Sequence, residues 1–347
     1  MNISEIKIAV DAMGGDNAPT EIIKGVVEFT NKHNIKVILV GKADLIYSQL
    51  LHHDFSQDKI DVVDAPEIIS NDDSPTEAIK TKKQSSMVIG LHMLKEKTVD
   101  AFISAGNTGA LVAGGTLIVG RIKGVKRPAL GAIFPTLKGF SLLIDCGANV
   151  DAKPIYLKQF AQMGSIYFKN VVGVKEPRVG LVNIGTEDKK GNELVRESYK
   201  LLKNSDLNFT GNLEARNIFK GEADIIVCDA FVGNIILKHT EGLVKDIFGL
   251  IKKELNSSIL SKIGGLFAIR AFKNIKKVFD YSEYGGAPLL GLESLVVKAH
   301  GSSKSSDIQA ALNQCVKFIE QDIANEIAEK MEKDEEEEKG EQCEANQ

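Results

Sequence analysis

The sequence has few of the features that mark a secreted, membrane-spanning or zinc-binding protein. Its four cysteines, at positions 146, 228, 315 and 343, lack the paired close spacing of a zinc site and the density of a disulfide framework. No uninterrupted apolar segment approaches the roughly 18 residues that a membrane-spanning helix needs, and the N-terminus has no basic segment followed by a long apolar run. We therefore expect a cytoplasmic protein with reduced thiols.

Several catalytic motifs are also missing. The chain has no G-x-S-x-G nucleophile elbow, no Walker A loop and no G-x-G-x-x-G dinucleotide fingerprint. Its carboxylates are scattered without the spacing of metal ligands. We therefore expect no cofactor and no metal. Cys146 follows a predicted strand, where a thiol nucleophile and a buried small hydrophobe are both open interpretations.

Composition indicates a globular protein with an unusual end. The chain has 347 residues, of which 43% are hydrophobic and 26% charged. Residues 330–347 hold eight acids and three bases and therefore have a formal charge of −5. Because the whole chain has a net charge of −4, the remaining residues together carry +1. We predict one α/β domain over residues 1–329 and a disordered acidic tail over 330–347. The near-neutral body argues against nucleic acid as a partner.

Short β-branched runs alternate with helical stretches along most of the chain. Such alternation predicts an α/β fold, Rossmann-like, with a mostly parallel sheet and helices on both faces. The predicted strands cover residues 6–12, 35–41, 61–65, 100–106, 140–147, 178–185, 224–230 and 295–301.

Glycine-rich polar loops follow six of these strands. In an open parallel sheet the carboxyl ends of the strands form one edge, where ligands bind, so we expect the loops to converge on one site. They are residues 12–20, 104–110, 145–154, 183–193, 228–234 and 299–306.

Two of the loops have the composition of an anion site. Residues 106–109 combine two glycines with Asn107 and Thr108 before a helix, which is typical of a phosphate cradle. Gly14 and Gly15 lie between Asp11 and Asp16, whose carboxylates would repel a phosphate. We expect these acids to orient neighbouring amides or basic side chains. Alternatively, Asp16 or Asn17 caps the helix that Pro19 begins.

Several long segments, taken in order, resemble the phosphate acyltransferase (PlsX) family. The resemblance covers about residues 6 to 312. The segments are VDAMGGDNAP (10–19), NDDSPTEAIKTKKQSSM (71–87), DAFISAGNTGAL (100–111), IDCGANVDAKP (144–154), GLVNIGTEDKKGNEL (180–194), EARNIFKGEADIIVCDAFVGNIILK (214–238), YGGAPLLGL (284–292) and VKAHGSS (297–303).

The resemblance implies transfer of a fatty acyl group from acyl carrier protein to inorganic phosphate. The acyl phosphate would feed a membrane glycerol-3-phosphate acyltransferase in phospholipid synthesis. The implied enzyme is a cofactor-free homodimer that meets the membrane peripherally, with a fold similar to phosphotransacetylases and isopropylmalate dehydrogenases. A coenzyme A-dependent phosphate acetyl- or butyryltransferase and a non-catalytic carrier-protein or lipid-surface scaffold remain open alternatives.

Roles for individual residues follow from this resemblance and from the loop chemistry. We expect Lys190 and Asn234 to donate charge and hydrogen bonds to the reacting groups, with His300 as polar support or proton carrier. The candidate phosphate- and substrate-binding residues are Asp11, Gly14, Gly15, Asp16, Gly106, Asn107, Thr108, Gly109, Asn149 and Ser302.

Two basic segments are candidate contact surfaces. Arg121, Lys123, Lys126 and Arg127 form a patch that suits an acidic carrier protein, although a solvated face is the alternative. Residues 252–280 predict an amphipathic helical hairpin that Gly264 and Gly265 break in two. It would meet an anionic bilayer, or else pack against a partner subunit or the core. Its membrane residues would be Leu260, Ile263, Phe267 and Ile275.

Overall fold

The computed structural model describes residues 6–279 and 285–345 and contains one sheet of 11 strands. All eight predicted strands are present, and the α/β fold with a mostly parallel, helix-covered sheet is confirmed. The strands are β1 Lys7–Asp11, β2 Lys36–Gly41, β3 Ile60–Asp64, β4 Ala101–Ser104, β5 Ala129–Thr136, β6 Gly139–Ile144, β7 Val179–Asn183, β8 Phe209–Glu214, β9 Ile225–Val227, β10 Ala287–Leu290 and β11 Leu295–Lys298.

Helices cover both faces of the sheet because the central strands are apolar on both sides. One buried cluster includes residues of α1, α6, α10 and α11, and a second, on the other face, includes residues of α3, α4 and α5. The helices are α1 Thr20–Thr30, α2 Ala43–Leu50, α3 Pro75–Thr81, α4 Ser86–Lys95, α5 Thr108–Gly114, α6 Pro154–Tyr167, α7 Glu193–Lys203, α8 Ala230–Leu255, α9 Ile259–Val278, α10 Ser305–Glu320 and α11 Ile323–Ala345.

The sheet contains two parallel sets of strands that run in opposite directions. Its order is β3-β2-β1-β4-β11-β10-β5-β6-β9-β7-β8, and antiparallel pairs occur at β11-β10, β10-β5 and β5-β6. Lys298, at the end of β11, pairs with Ala287 of β10, and Ile144, at the end of β6, pairs with Gly131 of β5. When the register is followed across β10 and β5, the ends of β11 and β6 lie about one residue apart along the strand direction. The carboxyl ends of the two sets therefore face each other near the middle of the molecule. The single edge that we expected is in fact two opposed edges.

Three strands were missed because their sequences lack the usual strand signals. β5 contains Pro135, a residue that is uncommon inside sheets. β8 reads FTGNLE and has no apolar run, and β10 is four residues long beside a pair of glycines. All three form because their neighbours supply the pairing.

The hairpin predicted within residues 252–280 differs from the helix pair of the structure, in which Gly264 and Gly265 lie inside one helix. α8 ends at Leu255 and α9 begins at Ile259, so the turn lies at residues 256–258 and not at Gly264 and Gly265. The hydroxyl of Ser258 accepts a hydrogen bond from the amide of Ser261 at 3.0 Å, which caps α9. Residue 280, the end of the predicted hairpin, lies outside the described residues.

The prediction of a disordered tail from residue 330 is wrong for residues 330–345, which continue α11. Met331 is buried in the core beneath this helix. Asp334 accepts a hydrogen bond from Nε2 of Gln162 at 2.7 Å and forms an ion pair with Lys158 at 3.3 Å. Acidic side chains thus find basic partners on the body, which composition alone does not reveal.

No helix in residues 6–279 or 285–345 combines the length and the apolar character that crossing a membrane requires.

Candidate functional site

The ends of β1 and β4 are joined by a buried carboxylate. Oδ1 of Asp11 accepts hydrogen bonds from the amides of Met13 at 3.0 Å and Gly14 at 3.1 Å. Its Oδ2 accepts one from the hydroxyl of Ser104 at 2.7 Å, and that hydroxyl accepts one from the amide of Gly106 at 3.0 Å. Asp11 therefore orients the amides of both glycine turns.

The glycines of the first turn are required by space and by conformation. A Cβ atom at Gly14 would lie 2.6 Å from the backbone nitrogen of Gly106, closer than real contacts. Gly15 has φ of +102°, a conformation that other residues rarely adopt, and its Cβ would lie 3.0 Å from the oxygen of Gly301. The turns after β1, β4 and β11 consequently touch one another.

Asp16 and Asn17 attach the first turn to the loop after β11. The amide of Asp16 donates to the oxygen of Gly301 at 2.7 Å, and Nδ2 of Asn17 donates to the oxygen of Ser302 at 3.0 Å. α1 starts after Pro19 with no side-chain hydrogen bond at its cap. The capping alternative for Asp16 and Asn17 is therefore wrong.

Lys298 is a cation at the centre of these turns that the sequence analysis did not single out. Its Nζ donates to the oxygens of Ala105, at 3.2 Å, and Ala299. Burial and, next, the nearby charge of Lys238 lower the pKa of Lys298 to about 8, although Asp11 and Asp16 act in the opposite direction. The available signal was a lysine ending an otherwise apolar strand, LVVK.

Asp145 at the end of β6 repeats the arrangement of Asp11 in the opposed set of strands. It is fully buried, and its carboxylate accepts hydrogen bonds from the amides of Leu130 at 3.2 Å, Gly147 at 3.1 Å and Ala148 at 3.0 Å. Burial raises the pKa of Asp145, and the donated hydrogen bonds partly counter this. The sequence analysis missed this role, for which the signal was again an acid between a strand and a glycine.

Asn149 and Asn107 have structural roles instead of the phosphate contacts that we expected of their side chains. Nδ2 of Asn149 donates to the oxygen of Pro128 and to Oδ2 of Asp145, both at 2.7 Å. Asn107 caps α5 through Ala110 at 3.0 Å, and its Nδ2 donates to backbone oxygens of the preceding loop. Both amide groups are therefore occupied. Thr108 and Gly109 supply first-turn amides without helical partners.

The N-terminus of α8 begins against the Asp145 loop. The amide of Ala230 donates to the oxygen of Asn149 at 2.9 Å, and a Cβ at Gly233 would lie 2.0 Å from the oxygen of Asp145. Asn234 is exposed at the fifth position of α8, just after the first turn, where the helix dipole is positive.

Contacts across the cleft join the two sets of loops. A Cβ at Gly147 would lie 3.8 Å from Cγ2 of Thr108, and Nε2 of His300 lies 3.8 Å from a carboxylate oxygen of Glu241 on α8. His300 Nδ1 also lies 2.9 Å from the hydroxyl of Ser302. Five of the six predicted loops are thereby linked to one another.

Lys190 belongs to the sixth loop, which no hydrogen bond or ion pair among the described residues links to the other five. Its side chain is exposed, and its backbone oxygen accepts a hydrogen bond from Asn183 at 3.1 Å. Asn212 holds the same loop through the oxygen of Glu187 at 2.8 Å. The role of Lys190 stays a prediction.

Cys146 is the buried hydrophobe and not a nucleophile. Its Sγ donates to the oxygen of Leu130 at 3.2 Å, and burial beside Asp145 raises the pKa of the thiol. A thiol held in this way forms little thiolate. In the described parts of the chain, no group of three or more His, Cys, Asp or Glu side chains could hold a metal ion.

Comparison with known proteins identifies the family. A model of the fatty acid synthesis protein family matches residues 6–326. The phosphate acyltransferase of Alkaliphilus oremlandii is 50% identical over 93% of this chain and 97% of its own length, and that of Clostridium tetani is 50% identical over 94% and 98%. The chain belongs to the phosphate acyltransferase family.

Solved structures show the same fold. A phosphotransacetylase from Streptococcus pyogenes superimposes with a TM-score of 0.61 at 17% identity, over 91% of this chain and 94% of its own. A branched-chain phosphotransacylase from Enterococcus faecalis gives 0.51 at 13% identity, over 90% and 99%. At such identities the likeness shows a shared fold. Within that fold, the strand ends that carry the candidate site belong to two opposed sets.

The basic patch at residues 121–127 lies under the acidic helix α11. Lys123 pairs with Glu332 at 3.9 Å and Lys126 with Glu335 at 3.5 Å, whereas Arg121 donates to the backbone oxygens of Val125 and Lys126. These pairs are exposed and weak. They nevertheless lower the net charge of the surface that we assigned to the carrier protein.

We predict that Asp11→Asn lowers the free energy of unfolding by about 1–3 kcal/mol, measured by urea denaturation, because an NH2 group then faces donors. The same variant should lose about tenfold or more of the phosphate-dependent acyl transfer, since the turns lose their orientation. Asp100→Asn is the matched control. Asp100 accepts a hydrogen bond from the amide of Lys7 at 2.8 Å, at the opposite end of the same strands. Normal stability together with normal turnover in Asp11→Asn would contradict the assignment.

Proposed function

We propose that this chain transfers a fatty acyl group from acyl carrier protein to inorganic phosphate by direct attack of phosphate on the thioester. The observation that carries the proposal is Lys298, a partly buried cation between two glycine turns that Asp11 and Ser104 hold in place. A phosphate dianion suits this group of donors, because Lys298 and the first-turn amides of α5 at Thr108 and Gly109 supply positive charge beside the glycine turns.

The chemistry requires positioning more than an activated protein group. A phosphate oxygen forms the bond to the acyl carbon, the carbon–sulfur bond breaks, and the carrier thiolate leaves and takes a proton. Holding the two substrates together can lower the barrier by roughly 7–11 kcal/mol. Donors that meet the developing oxyanion contribute about 3–4 kcal/mol each in comparable sites. We assign this role to Asn234 at the start of α8, and to Lys190 if its loop closes over the substrates.

We assign to His300 the support of the phosphate or the passage of a proton. Its ring lies between Ser302 on one side and Glu241 on the other. Glu241 belongs to α8, so His300 connects the phosphate turns with the helix that carries Asn234. This connection supports the proposal that His300 lies between the phosphate and the acyl donor.

The remaining partners belong to the same proposal. The enzyme would act as a cytoplasmic homodimer, meet the membrane peripherally, and deliver acyl phosphate to a membrane glycerol-3-phosphate acyltransferase for phospholipid synthesis. Light scattering that gives a monomer mass at working concentration would contradict the dimer.

The proposed reaction is tested with purified protein, hexadecanoyl carrier protein and phosphate. We expect phosphate-dependent release of the carrier thiol together with hydroxylamine-reactive acyl phosphate. Lys298→Met should raise the KM for phosphate by about 10- to 100-fold, as loss of one charged hydrogen bond predicts. Lys190→Ala or Asn234→Ala should lower the rate by more than about twofold. Carrier binding without thioester loss would instead indicate a scaffold.

The coenzyme A alternative is resolved in the same assay. Equal kcat/KM with hexadecanoyl coenzyme A and hexadecanoyl carrier protein would argue against a carrier-specific enzyme. An acylated side chain trapped during turnover would contradict direct attack.

We further propose that the patch of Arg121, Lys123, Lys126 and Arg127 receives the acidic carrier protein. Lys123→Glu with Lys126→Glu should then raise the KM for carrier-bound substrate several-fold at low salt. The reciprocal variant, Glu332→Gln with Glu335→Gln, should lower it, because it frees the same lysines. Unchanged KM values in both double variants would remove the patch from the proposal. The KM for hexadecanoyl coenzyme A is the control, since that donor carries no protein surface.

The outer face of α9 is proposed to meet an anionic bilayer. Leu260 and Phe267 are 81% and 87% exposed, and Ile263 and Ile275 are about half exposed. Basic residues such as Lys262 and Arg270 occupy the same helix. Such a surface binds anionic headgroups and buries its apolar residues at the interface.

Phe267→Glu should reduce sedimentation with phosphatidylglycerol vesicles by about tenfold. Leu51→Glu, at an equally exposed residue after α2, should not reduce it. Unchanged sedimentation of Phe267→Glu would count against membrane docking.

A further inference from the structure

An elongated apolar groove lies between α8 and α9. Its cavity has a volume of about 1080 Å³. The lining positions on α8 recur every three or four residues and form one stripe, which faces a matching stripe on α9. The principal apolar side chains are Val244, Phe248 and Ile251 on α8 and Leu266, Ile269 and Phe272 on α9.

One end of the groove opens at the candidate active site. A second cavity of about 610 Å³ is lined by Lys238, His300 and Ser303. The two cavities share Glu241 and Ser302 as walls. A molecule held at His300 therefore has a continuous route from a charged chamber into an apolar groove.

The other end of the groove lies at the turn of the hairpin, where Leu255, Asn256 and Lys262 line the cavity. A Cβ at Gly265 would lie 3.3 Å from Cδ2 of Leu255, so the two helices are in contact there. From Glu241 to Leu255 the helix rises about 21 Å at 1.5 Å per residue. A fully extended hexadecanoyl chain has nearly the same length, about 20 Å, because its carbon–carbon bonds of about 1.5 Å run in a zigzag.

We propose that this groove binds the acyl chain of the substrate, with the thioester beside Lys238 and His300 and the terminal methyl against Leu255 and Gly265. The assignment rests on the proposed function and names its acyl subsite. Leu266 and Ile269 are 69% and 49% exposed in the chain alone, and an acyl chain would cover them. The limited length of the groove makes the hairpin a gauge of chain length.

The groove is distinct from the proposed membrane face of α9. Leu260 and Phe267 do not line the cavity, whereas Leu266 and Ile269 do. One helix thus presents one side to the acyl chain and another outward. The connection to the His300 chamber favours the substrate's own chain as occupant over a bilayer lipid or a second copy of this protein.

The experiment compares butanoyl, octanoyl, dodecanoyl and hexadecanoyl carrier protein as donors. In the parent, kcat/KM should rise by up to about fourfold per added methylene until the chain fills the groove. Ile251→Trp obstructs the groove about 15 Å from Glu241. It should lower the ratio of hexadecanoyl to octanoyl kcat/KM by about tenfold or more. Leu266→Trp, on the opposite wall and already exposed, should do the same without threatening the core.

Ile247→Trp is the matched control, because Ile247 lies one turn from Ile251 on α8, is 47% exposed and does not line the groove. The ratio of hexadecanoyl to octanoyl kcat/KM in Ile247→Trp should equal that of the unsubstituted protein. An unchanged ratio in both Ile251→Trp and Leu266→Trp would overturn the proposal. So would variants that alter only vesicle binding or only oligomeric state, which would assign the groove to lipid or to a second copy.

Measurements on the unsubstituted protein distinguish failure of the acyl groove from failure of the proposed function. Phosphate-dependent transfer with equal kcat/KM for all four donors would overturn the acyl groove alone. Absence of transfer from every donor would refute the proposed function itself.

Discussion

Buried carboxylates at strand ends hold the site together. Asp11 binds the amides of the first glycine turn and, through Ser104, the amide of Gly106. Asp145 does the same for the loop after β6. A glycine-rich loop has high conformational freedom, and such loops would otherwise be disordered at a site that needs fixed amides. The carboxylates supply the acceptors that hold them in one conformation, although Asp11 in the sequence suggests repulsion of phosphate.

The opposed directions of the two strand sets explain how loops from the whole chain reach one place. With all strands parallel, one edge of the sheet would carry every loop. Here three successive antiparallel pairs, β11-β10, β10-β5 and β5-β6, reverse the direction, and the ends of β11 and β6 meet near the centre. The cleft between the two sets of strand ends is bordered on one side by the turns after β1, β4 and β11, which surround Lys298. The start of α8 borders it on the other side. α8 then leads away from the cleft and forms the apolar groove with α9, so charge and apolar surface follow each other along one path.

The sequence predicted the elements whose signals are local and missed those that depend on neighbours. All eight continuous apolar strands were found, since burial on both faces leaves an unbroken β-branched run. β5, β8 and β10 were missed because their pairing partners, and not their own residues, make them strands. The helical structure of residues 330–345 in α11 was missed because the lysines that stabilise its acidic side chains, such as Lys158, lie far away in the chain.

The candidate site shows the same division. The glycine turns and the resemblance to the family were readable, since both reside in contiguous letters. Asn107 and Asn149 were assigned to phosphate because a polar side chain in a loop does not disclose that its partners are backbone oxygens. Lys298 was overlooked because its environment comes from β1 and β4, distant segments that the fold brings beside it.

The central claim is that Lys298 and the Asp11-fixed turns bind phosphate, and proton linkage tests it most directly. Above pH 8 much of the free Lys298 is uncharged, since its pKa is about 8. Binding of a phosphate dianion should raise that pKa, so calorimetry near pH 8.5 in buffers of different ionisation enthalpy should show uptake approaching about three quarters of a proton per phosphate. Lys298→Arg, always charged, should bind without uptake. Phosphate binding by the parent with no proton uptake would contradict the account.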